Sequence, residues 1–234
     1  MRGPSSWRPL LAGQDLRRAA LTAVEAIATD LRTLLLPSES VWDLASAALF
    51  LTYLTRATGE TGDALAAQTL LETAIDLVGG AERLPMSLHR GAAGLAWILH
   101  HTTRVLGIQG AAEATQSLDE ELLGYLQGPG NIDEPYDLLD GLLGLGVYGF
   151  ESGNRPLVER VVHRLAARKR VDAESLVWDA PPESWERSWS PGGDTNLGLA
   201  HGVAGLIAFL AGAMEEGIEP GTVHPLLLDA VHWL

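Results

Sequence analysis

The chain has 234 residues, enough for one domain or two, and its 47% hydrophobic content and 7 tryptophans can fill a large core. Acidic residues outnumber basic ones 30 to 16, a net charge of −14, which argues against a nucleic-acid backbone as partner because that needs clustered Lys and Arg. There is no cysteine, so disulfides and thiolate metal sites are excluded within the chain.

In chain order the periodicity predicts helix almost throughout. Residues 14–36 carry Leu16, Ala19, Ala20, Val24, Ile27 and Leu31 at the 3.6-residue spacing of a surface helix. Pro37-Ser-Glu-Ser40 breaks it, and Ser40 can cap the next helix, 41–55, which is apolar almost all round and so buried. Thr61-Gly-Asp63 reads as a turn into an amphipathic helix over 64–78, with Gly79-Gly80 as its stop. A buried helix is predicted over 88–106, then an amphipathic one over 111–126 and a turn at Gly128-Pro-Gly130. Residues 136–150 read as buried, 156–170 as amphipathic with a basic outer face, and 171–196 as a long Trp- and Pro-rich loop. A buried helix over 197–214 and an amphipathic one from 220 onward complete the chain.

Buried and amphipathic helices therefore alternate, and a repeated frame sits on the buried ones. It reads Gly91-Ala-Ala-Gly94-Leu95, Gly141-Leu-Leu-Gly144-Leu145 and Gly202-Val-Ala-Gly205-Leu206, with a degenerate copy at Leu44-Ala-Ser-Ala47-Ala48. Such spacing marks one supersecondary unit per repeat. Glycine costs about 1 kcal/mol against alanine inside a helix, so two per helix imply a close approach, which we assign to neighbouring backbones at a crowded centre. The expected fold is all-α: an α/α toroid, an inner ring of glycine-rich helices wrapped by an outer amphipathic ring, in a single domain. A linear solenoid shares the alternation, but would leave a solvated concave face where these helices are apolar on every side. Asp43, Arg90, Asp140 and His201 directly precede the four copies, so rotation about an axis would gather them at one end of it. A toroid of this kind closes with more hairpins than are present, and the chain ends inside a helix at Val231-His-Trp-Leu234, so we expect an incomplete toroid.

Gly198-Leu-Ala-His201-Gly202-Val-Ala-Gly205 resembles the central motif of lanthionine synthetase C-like cyclases. Tyr136-Asp137-Leu-Leu-Asp140-Gly141-Leu-Leu-Gly144 resembles that family's preceding inner-helix motif. The resemblance runs from about residue 42 to the end. It implies an α/α toroid with one zinc ion near its axis. It also implies addition of cysteine thiols of a precursor peptide to dehydroalanine or dehydrobutyrine, closing thioether (lanthionine) rings. Zinc would lower the thiol pKa and expose thiolate, the nucleophile, and acid/base groups would manage the proton at the enolate. By position Asp137 and His201 match the family's aspartate and histidine in that cavity. The family's zinc ligands, two cysteines and a histidine, lie in motifs further toward the C-terminus. This chain is therefore expected to stop before them, to bind no catalytic zinc alone and to close no rings alone. A dehydratase and an exporter are the partners the family implies, with a cytoplasmic location, peripheral to the membrane when held in such a complex. The start, Met1-Arg-Gly-Pro-Ser-Ser-Trp7, has no apolar signal-peptide core, and the apolar run 202–214 is too short to span a bilayer.

Each site residue has a second reading. His201 can bond a backbone carbonyl in a core, Asp137 can cap a helix starting at Leu138, and Asp140 can support a helix N-terminus. Arg90 is taken as a substrate contact, with a structural polar role as its alternative, and Asp43 is read as structural. Trp185 and Trp189, with Trp178 in the same loop, can line a peptide groove or plug the outside of the fold, and the two readings weigh equally. His100-His101 is read as structural, because a metal pair on a helix needs i, i+4 spacing. Two other functions compete: a LanC-like scaffold that no longer catalyses, and a toroidal glycosidase or epimerase using Asp137 and Asp140 as paired carboxylates.

Overall fold

The structure, a computed structural model, describes residues 13–34, 40–79, 84–128, 135–172, 175–177 and 196–234. The chain packs as two compact units, Met1–Gly79 and Gly80–Leu234. Among the described residues, no helix is long and apolar enough to cross a membrane.

The first unit holds α1 (Gln14–Leu34), α2 (Val41–Thr58) and α3 (Thr61–Gly79). Helix α2 starts where expected, with the Ser40 side chain accepting from the Asp43 amide, and ends at Gly59 in the left-handed region at φ 80°. Thr61-Gly-Asp63, expected as a turn, is instead the first turn of α3. There Asp63, only 3% exposed, accepts from Arg32 Nε at 2.8 Å, the pairing a buried carboxylate requires. Of the apolar stripe expected on α1, Ala20, Val24 and Leu31 are half-buried and Leu16, Ala19 and Ile27 are exposed, while Ala28, outside that stripe, is buried.

The second unit alternates two layers. Helices α4 (Ala92–Leu106), α6 (Leu142–Ser152) and α8 (Val203–Glu215) pack along one another. Helices α5 (Ala111–Gln127), α7 (Arg155–Arg168) and α9 (Pro220–Trp233) flank them. The core joins Leu142, Leu143, Leu206 and Leu210 of the first layer to Leu122, Val161, Leu165 and Leu226 of the second. Each such side chain, fully buried, stabilises the fold by about 1.5–3 kcal/mol. Gly146 of α6 makes room for the Phe209 ring of α8, which lies 2.2 Å from where a Cβ would stand. Strands β1 (Arg170–Asp172) and β2 (Ser175–Val177) pair antiparallel, Val171 opposite Leu176, where an unbroken loop was expected.

The three glycine-rich helices begin later than their apolar patterns suggested: at 92, 142 and 203, not at 88, 136 and 197. Residues 85–91, 135–141 and 196–202 form matching loops instead. In each, the amide after the first glycine donates back seven residues: Ala92 to the Pro85 carbonyl at 2.7 Å, Leu142 to Pro135 at 3.0 Å, Val203 to Asn196 at 2.9 Å. Both frame glycines serve this loop. A Cβ on Gly91, Gly141 or Gly202 would lie 2.2, 2.3 or 1.9 Å from the carbonyl oxygen of Ser87, Pro135 or Asn196. One on Gly94, Gly144 or Gly205 would lie 1.9, 2.4 or 2.3 Å from that of Leu88, Leu138 or Leu199. The crowding inferred from the sequence is real, but its main source is each repeat's own loop rather than a neighbouring helix. At Gly144 a neighbouring loop is also closer than 3 Å, through Leu88 Cβ at 2.8 Å.

Candidate functional site

Backbone bonds tie the three loops side by side ahead of α4, α6 and α8. His89 N–H donates to the Leu139 carbonyl at 2.8 Å, and Leu138 N–H donates to the Ala200 carbonyl at 2.9 Å. The second bond sets the relation between Asp137 and His201. His201 Nδ1 stands 3.6 Å from Asp137 Oδ2, and the two side chains are 16% and 15% exposed. That separation is an ion-pair contact and exceeds a hydrogen bond.

Asp137 divides its carboxylate. Oδ1 accepts the amides of Leu139 and Asp140, both at 2.8 Å, and Oδ2 faces the imidazole. The capping role foreseen for Asp137 is therefore present, but it closes a turn inside the loop, because the helix starts only at Leu142. His201, expected to open its helix, sits in the turn just before the N-cap Gly202. Two chain-fixed loops thus hold a carboxylate and an imidazole together and largely out of water. Such a pair can take up and release one proton at a defined place.

Of the polar residues preceding the frames, Arg90, Asp140 and His201 sit in the three loops tied side by side at one end of the inner helices, but they do not share one site. His201 meets Asp137, whereas Arg90 and Asp140 line a separate cavity of about 610 Å3. Asp43 lies in the first turn of α2, in the other unit. Trp178, Trp185 and Trp189 lie outside the described residues. One supporting residue escaped the sequence reading: Asn196, whose Oδ1 accepts the Gly198 amide at 2.6 Å while its carbonyl accepts Val203 N–H. It stands where the other loops have Pro85 and Pro135. An Asn just ahead of Gly-x-x-His is the kind of turn signal that could have revealed it.

A second polar cluster lies toward the C-terminal ends of the inner helices. His100 Nε2 bonds Thr115 Oγ1 at 2.9 Å, and Tyr148 donates to Asp119 Oδ1 at 2.6 Å. Burial pushes the His100 pKa below 6.5, with Asp119 and Glu151 opposing. Burial and the Asp119 bond push the Tyr148 pKa up. His101 stacks on Trp97 at 4.6 Å and contacts Glu151 at 3.1 Å. These bonds tie α4 to α5 and α6, in keeping with the structural reading of His100 and His101.

The zinc ion implied by the sequence resemblance finds no ligand set here. The chain has no cysteine, and the described residues contain no group of three His, Asp or Glu side chains that could hold a metal ion. Asp137 and His201 supply two donors where a catalytic zinc site uses three protein ligands. The described residues do not fit the metal.

Among solved structures the chain is similar to nisin cyclase: 18% identity and a TM-score of 0.67, over 94% of this chain and 57% of that one. This likeness shows the fold, an all-α chain of the α/α toroid class, and the chain spans little more than half of the nisin cyclase chain. No curated protein sequence matches it. The family described as lanthionine synthetase C-like protein matches residues 44–234, which include every loop and inner helix described above. The chain therefore belongs to the lanthionine synthetase C-like family.

Proposed function

We propose that this protein takes part in thioether ring formation on a dehydrated precursor peptide, with Asp137 and His201 handling the proton. A peptide thiol loses its proton and its sulfur adds to the β-carbon of dehydroalanine or dehydrobutyrine. The double-bond electrons move to the α-carbon as an enolate, which then takes a proton. Atoms balance with one proton removed from sulfur and one delivered to carbon. His201 is the group we assign to the carbon proton, and Asp137 orients its ring through Oδ2. The observation that carries this reading is the 3.6 Å contact between two side chains whose loops are fixed by the Leu138–Ala200 bond. Arg90, Trp185 and Trp189 are proposed to contact the peptide.

Any zinc that the resemblance implies is proposed to be held by residues other than those described. Residues 1–234 alone are then expected to retain no stoichiometric zinc and to close no rings. Metal analysis and a thiol count after incubation with dehydrated peptide check this. Retained zinc together with ring closure would overturn it. A dehydratase and an exporter are proposed as partners in a cytoplasmic complex that is peripheral to the membrane. The lack of cysteine ligands favours a second reading, a non-catalytic scaffold for that complex. The paired-carboxylate reading loses support, since Asp140 lines the cavity of about 610 Å3 whereas Asp137, which faces His201, does not.

The test is ring closure by the native gene product purified with its bound partners. General acid–base groups contribute about 10²–10⁴-fold. His201→Ala is expected to lose rate in that range, and Asp137→Asn to lose less. Unchanged rates would refute the assignment.

A further inference from the structure

We infer that the cavity of about 610 Å3 beside the site anchors one acidic side chain of the peptide, a reading that rests on the peptide substrate proposed above. It opens between loop 85–91, loop 135–141 and the C-terminal end of α5, and neither Asp137 nor His201 lines it. Its size falls within the range of about 300–1,000 Å3 typical of ligand clefts.

The lining has two chemical parts. Pro85, Met86, Pro135 and Leu145 offer apolar walls, and Tyr125 adds an aromatic ring. Arg90 brings a positive charge, His89 an imidazole, and Asp140 stands as the anion. Arg90 and Asp140 do not pair with each other, nor with any other charged group among the described residues. In so acidic a chain, an arginine at a cavity that pairs with none of the described acidic residues is available to a ligand.

The backbone gives an independent sign. Arg90 adopts φ 54°, in the left-handed region, while Asp140 and His201 at the same place in the sister loops do not. A non-glycine residue there costs roughly 1–2 kcal/mol. The seven-residue loop bond is made in all three loops, so it does not require this conformation at Arg90. A strained residue kept at a cavity fits a role in binding.

The ligand chemistry follows. A guanidinium presents a planar fork that fits a carboxylate with two parallel hydrogen bonds. Asp140 and the net charge of −14 disfavour a second carboxylate, so specificity comes from repulsion as well as attraction. The site therefore takes a single Asp or Glu flanked by apolar residues.

The experiment measures binding to chain 1–234 of dye-labelled acetyl-Leu-Glu-Leu-amide against its Gln counterpart, by fluorescence anisotropy. A hydrogen bond to a charged group strengthens binding by about 10- to 100-fold, so the Glu peptide should bind tighter by that factor. Arg90→Gln should abolish the preference with the melting temperature unchanged. Arg90→Gly should abolish it while raising the melting temperature, because the positive φ is relaxed. Equal binding of the two peptides, or a preference that survives Arg90→Gln, would overturn the proposal. Ring closure is not read here, so failure of the anchor leaves the Asp137–His201 assignment standing. Failure of ring closure leaves the peptide preference measurable.

Discussion

At the scale of single residues, burial decides what each polar group can do. Tyr148 is fully buried and donates a hydrogen bond to Asp119 Oδ1. Tyr148→Phe leaves that carboxylate one donor short and should cost about 1–2 kcal/mol, read from urea unfolding near neutral pH. His100 supplies a pH test. Its folded pKa is lowered by burial, so the fold prefers the neutral ring. The stability it contributes is present above its unfolded value of 6.5 and is lost as pH falls below that value, where the unfolded chain takes up the proton more readily. The difference in unfolding free energy between wild type and His100→Gln should therefore shrink from pH 7.5 to pH 5.5. A constant difference would show that His100 does not titrate in this way. Asp137 and His201 were legible as single residues because the motifs around them are specific. Their contact was not, since it depends on the Leu138–Ala200 backbone bond, which pairs atoms 62 residues apart and leaves no pattern in the sequence.

At the scale of elements, the repeated glycine frame was read correctly as a sign of crowding, and the helices after it were placed correctly. The helix starts were not. Leu88, Leu138 and Leu199 continue the apolar pattern backward, so loop and helix look like one run. The loops exist because backbone carbonyls of residues 85, 135 and 196 outcompete helical partners for the amides at 92, 142 and 203. Only glycine leaves space for that geometry. Gly202→Ala puts a methyl group 1.9 Å from the Asn196 carbonyl oxygen, and should destabilise the fold by at least about 1–3 kcal/mol. It should also shift His201, one residue away. Gly124 is the control: it is exposed within α5 with nothing within 4 Å of where a methyl group would stand, so Gly124→Ala should stabilise by about 0.5–1 kcal/mol. Thermal melts of both variants check the pair. If Gly202→Ala melts no lower than wild type, the loop is not the reason for the glycine.

At the scale of the whole molecule, alternating buried and amphipathic helices were enough to indicate the α/α toroid class, and the likeness to nisin cyclase agrees. Composition could not reveal the division into Met1–Gly79 and Gly80–Leu234, because the same helical alternation runs through both. The family match over residues 44–234 places the paired loops in a lanthionine synthetase C-like chain. We propose that this chain supplies the proton-transfer pair for thioether formation. The most direct measurement is the rate at which free thiols disappear from a dehydrated, cysteine-containing precursor peptide, counted by alkylation and mass, with the native gene product and its bound partners. Ring closure is expected from the wild type, with a loss of about 10²–10⁴-fold in His201→Ala. Equal rates in wild type and variant, or no closure by either, would contradict it.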